Sequence, residues 1–417
     1  MNKSENFIKK GTTILTAKPF AYTLYSKYRN QRCDYCFKSG NLFKCSVCQY
    51  VYYCNRSCQR LSWPIHSKEC ASLKKCSPRV VPNVARLMAR IIIKLNQGGD
   101  EEIGYYNETN YRKFKDLMSH CSEIKRDKKK MEHFICLCGI LYEFLGDMPV
   151  PNTTELMGIY GRICINSFNI SNLDTNIGVG IYLAPSILDH SCKPNAVAIF
   201  EGITIIIKIT YIDVIKTTKD RRTELQSSYY FWCNCEKCEG PEPMAEAAAC
   251  PNKFCTYPCP SDADMCENCN TKFSKNFKKI FDEISEFTAY HLENMKNIAY
   301  LDEGILHPLN VQHVQTLQTA FDSSINLQHW EEAESYAKKL INGYLTYYGE
   351  IHPTTGLLYL AIGKIQVYSG KKLKQAIEAL KKASSILTIT HGEQHSVIIE
   401  DLKPLLYQAT VVDFNES

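Results

Sequence analysis

Between residues 33 and 70 the chain reads CDYCFKSGNLFKCSVCQYVYYCNRSCQRLSWPIHSKEC, and its cysteines and one histidine fall into four close pairs: Cys33 with Cys36, Cys45 with Cys48, Cys54 with Cys58, and His66 with Cys70. A two-residue spacer lets both sulfurs of a knuckle face one ion, and zinc takes four such soft or borderline ligands in a tetrahedron. Eight ligands make two ions. Interleaved knuckles pair first with third and second with fourth, which predicts Cys33, Cys36, Cys54 and Cys58 on one zinc and Cys45, Cys48, His66 and Cys70 on the other. No open coordination position is left, so both ions are expected to be structural, holding a segment too small for a core of its own.

The remaining cysteines extend the pattern, for the chain holds 21 in 417 residues. The opening MNKSENFIKK has no apolar stretch followed by a small-residue cleavage site, so it does not read as a secretory signal. No apolar run approaches the ~18 residues of a membrane span. Cytoplasm and nucleus are the expected locations, without membrane, and in a reducing compartment so many cysteines point to metal more than to disulfides. The segment CNCEKC supplies Cys233, Cys235 and Cys238 and lacks a fourth ligand, which Cys192 in DHSCKPN at 189–195 can provide. His190 and Cys192 in that stretch look like a base and its nucleophile, but a thiolate claimed by zinc is not free to attack. Cys250, Cys255, Cys266 and Cys269 have the look of a zinc ribbon, the alternative being a loop of free thiols with Cys259 as a substitute ligand. Three zinc ions are expected, and a fourth if the ribbon binds. Cys76, Cys121, Cys136, Cys138, Cys164 and Cys259 remain, and most read as small core residues.

Charge narrows the function classes. With 49 basic and 44 acidic residues the net charge of +5 is mild, not the dense positive field of a dedicated nucleic-acid binder. The finger at 33–70 lacks a basic recognition helix, so direct DNA binding is not expected. The run KRDKKK at 125–130 reads as a solvated helix face, or as half of a nuclear signal.

Composition separates further zones. Residues 71–160 carry apolar residues at helical spacing in VARLMARIIIKL (84–95) and MEHFICLCGILYEFL (131–145). Residues 161–232 mix Gly-rich turns with β-branched runs, AVAIF and ITIIIKITYI, which read as buried strands. Beyond 276 the chain turns helical and repeats, with His307, His352 and His395 opening successive helices at intervals of 45 and 43 residues. These helix pairs look like tetratricopeptide-type units of lengthened period, and the recurring His and Pro are expected to cap and start helices. The class is α+β.

The 33–70 segment resembles a MYND finger, complete in all eight ligands. DHSCKPN resembles the SET-domain motif Asn-His-Ser-Cys-x-Pro-Asn, and CNCEKC resembles a post-SET segment. Together and in this order they are similar to the SET and MYND domain family of protein lysine methyltransferases, over roughly residues 8 to 410. The resemblance implies a shortened N-terminal SET portion at 1–32, the MYND finger at 33–70, a helical insert at 71–160, the mostly β SET core at 161–232, a post-SET segment at 233–240, the ribbon-like insert at 241–275 and a tetratricopeptide-like domain at 276–417.

It also implies S-adenosyl-L-methionine as methyl donor, a protein or histone lysine as substrate, and proline-rich peptides as partners of the finger, in a monomer. By similarity, Tyr211 sits at the end of the lysine channel and orients amine and methyl. Tyr229 and Phe168 line that channel, Phe231 packs on the cofactor's adenine, and Asn166, Asp189 and His190 contact its amino-acid and adenosine parts. Such a channel must deliver a neutral amine in line with the sulfonium methyl, and apolar walls disfavour the charged form.

Three departures from the family pattern keep a second reading in view. Only MNKSENFIKK precedes Gly11, where family members have a strand and a Gly-rich turn around the cofactor; FEGITIIIKITYIDV lacks the Gly-Glu-Glu-like segment before the tyrosine; and Asp189 replaces an asparagine. The alternative is a catalytically impaired member acting as a zinc-dependent interaction scaffold or transcriptional regulator.

Overall fold

The computed structural model describes residues 8–173, 175–208, 215–293, 304–370 and 373–416. Strand β1 (Thr13–Ala17) and strand β2 (Ala21–Leu24) come first, followed by the finger with its short hairpin β3 (Phe43–Lys44) and β4 (Tyr52–Tyr53). Helix α1 (Arg56–Cys76) begins where Asn55 accepts a hydrogen bond from the Cys58 N–H, a side-chain cap of the kind that satisfies a free helix N–H. One helix therefore carries Cys58 at its start and His66 and Cys70 a turn apart on one face.

Helix α2 (Asn83–Leu95) is buried at every position from Ala85 to Ile93, as expected for a helix packed on all sides. A small hairpin, β5 (Gly104–Tyr105) and β6 (Tyr111–Arg112), precedes helices α3 (Cys121–Arg126), α4 (Lys128–Leu145) and α5 (Thr153–Asn166). Asn152 and Glu155 form a capping box at the start of α5. The basic run at 125–130 is not one solvated helix face. It is the junction of α3 and α4, where Asp127 caps α4 and Lys130 donates to the Ser227 and Ser228 carbonyls.

The strands β7 (Ser167–Asn172), β8 (Thr175–Ile181), β9 (Val197–Glu201) and β10 (Thr204–Lys208) complete two antiparallel sheets, ordered β2-β8-β7 and β1-β10-β9. Strand β8 is buried from Ile177 to Ile181 and is the middle strand of its sheet. In β10 the alternation is of period two, with Ile205 and Ile207 inward. They meet Leu24, Ile170, Ile177 and Tyr182 in a core between the sheets, and the finger inserts Phe37 into the same core. The hairpin from β9 to β10 turns at Gly202, whose φ is +60°. A Cβ there would lie 2.8 Å from the Cys36 carbonyl oxygen, so glycine is required by conformation and by contact with the finger.

Helix α6 (Thr218–Tyr229) follows, in a zone whose composition reads as turns and strands. Thr217 caps it by accepting from the Asp220 N–H, a Thr-x-x-Asp start signal that outweighs the β-branched residues before it. A short helix α7 (Glu236–Glu239) leads to the cysteine-rich 250–269 segment and helix α8 (Phe277–Glu293). Beyond these, α9 (Val311–Asn326) pairs with α10 (Trp330–Tyr347), α11 (Pro353–Ser369) pairs with α12 (Leu373–Thr390), and a π-helical turn at Val397–Leu402 runs into α13 (Lys403–Glu416).

The three recurrent histidines share one geometry. The Nδ1 atoms of His307, His352 and His395 accept from the N–H groups of Leu309, Thr354 and Val397 at 3.1, 3.1 and 3.2 Å. His352 thus caps α11, whereas His307 holds the turn just before α9, which is capped by Asn310 accepting from the Gln312 N–H. His395 also docks the helices on the β9–β10 hairpin, its Nε2 lying 3.1 Å from the Phe200 carbonyl oxygen, while Ser396 donates from N and Oγ to Glu201. No helix among the described residues is long and apolar enough to cross a membrane.

Candidate metal centres and the pocket beside them

Four groups of thiol and imidazole atoms converge, each with all its ligand atoms within 4.8 Å of one another: Cys33, Cys36, Cys54 and Cys58; Cys45, Cys48, His66 and Cys70; Cys192, Cys233, Cys235 and Cys238; and Cys250, Cys255, Cys266 and Cys269. A tetrahedron of ~2.3 Å Zn–S bonds has S···S edges of about 3.8 Å. One sulfur pair in each group lies at that edge, with Cys36 to Cys54 at 3.7 Å, Cys45 to Cys70 at 3.8 Å, Cys192 to Cys233 at 3.8 Å and Cys255 to Cys266 at 3.7 Å, while Cys54 to Cys58, Cys192 to Cys238 and Cys250 to Cys269 are closer, at 3.4, 3.5 and 3.4 Å. His66 Nε2 stands 3.4 and 3.7 Å from the Cys45 and Cys48 sulfurs. All 21 cysteines are free of disulfides, and Cys259 stays outside the fourth group, its thiol directed at the Tyr257 carbonyl. These Cys/His donor sets support zinc.

Polar groups around the clusters point N–H donors at sulfur. Asn55 Nδ2 lies 3.4 Å from Cys54, Arg221 Nη2 3.7 Å from Cys238 and Asn268 Nδ2 3.4 Å from Cys255. Such outer contacts orient ligands and favour the thiolate. The Cys36 thiol, donating to Cys33, brings the Cys33 pKa down to about 5, while the same contact and burial push Cys36 up. Thiols this close cannot all ionise without a cation among them.

The finger is joined to the rest of the chain by buried charges. His66 Nδ1 lies 3.4 Å from Glu69 Oε1, and Arg86 and Arg90 of α2 both donate to Glu69 at 2.7 Å. The same arginines hold Asp34, at 2.8 and 2.5 Å. Burial alone would raise both carboxyl pKa values, but the two guanidinium groups hold Asp34 below its ordinary value and Glu69 well below.

Beside the third cluster lies a pocket of ≈ 270 Å³ lined by His190, Cys192, Arg221, Glu224, Tyr229 and Phe231, among others. The His190 and Phe231 rings are 5.7 Å apart, and His190 Nε2 is 3.2 Å from the Cys192 sulfur. Desolvation, helped by the Arg221 charge, lowers the His190 pKa. Tyr229 ends α6 half-exposed, because Tyr230 takes a left-handed conformation that stops the helix. The clustered thiols thus bring the 189–192 segment and the end of α6 to one place.

Other residues named from the sequence lie elsewhere. Asn166 closes α5, its amide nitrogen donating to the Met118 and Arg162 carbonyls. Phe168 is the second residue of β7 and packs edge-on against Tyr182 at 5.7 Å. Asp189 is exposed beside His190, and Tyr211 lies outside the described residues. Arg221, Glu224 and Lys216 were not singled out from the sequence. Arg221 donates to Glu242 at 2.9 and 3.1 Å as well as toward Cys238, and Lys216 pairs with Glu224. The cap at Thr217 was the one sequence signal that could have put Arg221 and Glu224 on a helix.

A family model described as the MYND finger matches residues 33–70. Histone-lysine N-methyltransferase SMYD3 of Mus musculus is 30% identical over 96% of this chain and 92% of its own length. Histone-lysine N-methyltransferase ASHR1 of Arabidopsis thaliana is 29% identical over 92% of this chain and 88% of its own, and N-lysine methyltransferase SMYD2 of Homo sapiens is 26% identical over 94% and 92%. The likeness runs through finger, sheets and C-terminal helices alike, and the chain belongs to the SET and MYND domain family of protein lysine methyltransferases.

Proposed function

We propose that this chain is an S-adenosylmethionine-dependent protein lysine N-methyltransferase acting on histone or other protein lysines. The observation that carries the reading is the convergence of His190, Tyr229 and Phe231 around one pocket beside the Cys192, Cys233, Cys235 and Cys238 cluster. The named relatives add the reaction class. The residues fit the cofactor in kind: a tilted aromatic pair, His190 and Phe231, for a purine, and the Glu224 carboxylate for hydroxyl or ammonium donors.

S-adenosylmethionine, when bound, supplies the methyl group. Phe231 would pack against the adenine, and His190, Asp189 and the Asn166 segment would hold the rest of the molecule. Phe168 and Tyr229 wall the lysine channel, where exclusion of water favours the neutral amine. Tyr211 orients that amine for attack in line. The zinc ions are structural: Cys33, Cys36, Cys54 and Cys58 hold the first, Cys45, Cys48, His66 and Cys70 the second, Cys192, Cys233, Cys235 and Cys238 the third, and Cys250, Cys255, Cys266 and Cys269 the fourth.

The finger serves as a partner site. A cavity of ≈ 510 Å³ between α1, α2 and β2 is lined by Pro19, Tyr22, Tyr35, Leu61, Pro64 and Ile65, among others, and such aromatic and apolar walls suit a proline-rich segment. The protein is proposed to work as a monomer in cytoplasm and nucleus.

Calorimetric titration of the zinc-loaded chain with S-adenosylmethionine tests the reading. Binding is expected, Phe231→Ala should weaken it, and Tyr211→Phe should abolish methyl transfer while leaving binding nearly intact. A chain that carries its zinc and binds no S-adenosylmethionine would end the enzyme reading and leave a zinc-dependent scaffold.

A further inference from the structure

The end of α6 that carries Tyr229 into the His190 pocket is held by a side chain from another helix. The Tyr230 N–H makes the last bond of the α6 ladder, to the Gln226 carbonyl at 3.2 Å. The next two carbonyls, of Ser227 and Ser228, have no following turn to bond, and both accept from Lys130 Nζ at 3.2 Å. A cation is favoured at this end of a helix by the aligned peptide dipoles as well. Lys130 is itself fixed in the first turn of α4, where its N–H donates to Asp127 at 3.1 Å. Of the basic residues in the 125–130 run, Lys125, Arg126, Lys128 and Lys129 are exposed, and Lys130 alone is half-buried. The same ammonium lies 4.2 Å from the centre of the Tyr230 ring. Tyr230 has a φ of +63°, a left-handed backbone that disfavours so bulky a side chain. Its hydroxyl is buried and makes no hydrogen bond among the described residues. The ring is therefore kept in place through its face, by the Lys130 charge and by the His120 ring 5.6 Å away.

Tyr229 and Phe231 stand on either side of Tyr230, and both line the pocket, whereas Lys130 does not. The left-handed turn at Tyr230 sets the direction of the chain on its two sides, so what stabilises that turn also aims the two pocket rings. On the methyltransferase reading, on which this rests, we propose that Lys130 is a positioning residue for both substrates. By latching the end of α6 it holds Phe231 toward the cofactor's adenine and Tyr229 at the lysine channel. It acts through the Ser227 and Ser228 carbonyls and the Tyr230 ring, and touches neither substrate.

The test compares the full zinc-loaded chain with Lys130→Met, Lys130→Arg, Tyr230→Phe and Tyr230→Leu, each used only at parental zinc content so that lost fold is not read as lost function. By calorimetry, Lys130→Met and Tyr230→Leu should each weaken S-adenosylmethionine binding about tenfold. Tyr230→Phe keeps the ring face and should bind as the parent does, and Lys130→Arg keeps charge and donors and should recover most of the loss. A second measurement needs no cofactor: chymotrypsin should cut the 229–232 segment faster in Lys130→Met than in the parent, read by mass spectrometry of the fragments. If the parent binds S-adenosylmethionine and Lys130→Met binds it equally well, the latch falls and the methyltransferase reading stands. If no form of the chain binds it, the methyltransferase reading falls, and faster cleavage in Lys130→Met leaves the latch on the two pocket rings standing. Equal cleavage in that case would end the latch as well.

Discussion

Arg90 of α2 donates to Asp34 at 2.5 Å, and Asp34 stands between the paired cysteines Cys33 and Cys36, with both charges almost fully buried. Arg86 and Glu69 complete the group, and Glu69 reaches His66 of the second cluster. One network of charges therefore ties both metal centres of the finger to a helix that also packs on β2 and α5. Removing one partner strands the others in a medium that cannot solvate them. Asp34→Ala is expected to cost ~3–5 kcal/mol, read as a lower denaturant midpoint. An unchanged midpoint would mean that the charges are more solvated than their burial implies.

Phe37 makes a second, apolar joint between finger and sheets. A Cβ on Gly178 of β8 would lie 2.4 Å from the Phe37 ring and 2.7 Å from the Thr23 carbonyl oxygen. Phe37→Ala should cost ~3–5 kcal/mol through the cavity it leaves, and Gly178→Val should prevent the finger from seating at all. Chemical denaturation and limited proteolysis of the finger would check both, and a fully stable Gly178→Val chain would contradict the packing.

Metal content gives an independent count. Elemental analysis of the purified chain should find four zinc ions, one for each of the four convergent groups. Cys255→Ser should lower the count by one and leave S-adenosylmethionine binding unaffected. Cys192→Ser should also lower it by one but weaken cofactor binding, because the 189–192 segment would lose its tether to the end of α6. A parent count of three would assign the 250–269 segment to free thiols.

His352 offers a test by pH. Burial brings its pKa from 6.5 down to about 4, and its Nδ1 must stay unprotonated to accept from the Thr354 N–H. Between those two values the unfolded chain binds more protons than the folded one, so stability falls as pH is lowered through that window. The loss from this residue is about 3 kcal/mol. His391 is displaced in the same direction, to about 3, by burial and by the nearby His395 and Lys208 charges, and adds to the effect. His352→Gln, which can still accept the Thr354 bond, should flatten the pH dependence of the denaturation midpoint between pH 4 and 6.5. An identical slope in parent and variant would show that His352 does not titrate in that range.

The metal clusters were legible in the sequence because zinc ligation is a short-range constraint. Two or three residues between paired cysteines, or three between His66 and Cys70, already set how the side chains can point, and the order of the pairs restricts which pairs can share an ion. The helix entry at His352 was legible for the same reason, since the capping ring and the Thr354 N–H it serves lie two residues apart. Helix α6 shows the limit of composition, since a local cap at Thr217 overrode the surrounding β-branched residues. What no local pattern could reveal was which distant surfaces meet. Phe37 in the sheet core, Arg90 against Asp34, and Lys130 at the end of α6 each depend on residues tens to hundreds of positions apart. The sequence by itself determined the close ligand pairs and the local elements, because those interactions close within a turn or a knuckle, whereas the joining of Cys192 to Cys233, 41 residues on, spans distant segments. Only the tertiary structure decided how finger, sheets and helices share one core, because that choice is made by shape and charge fitting across the whole chain.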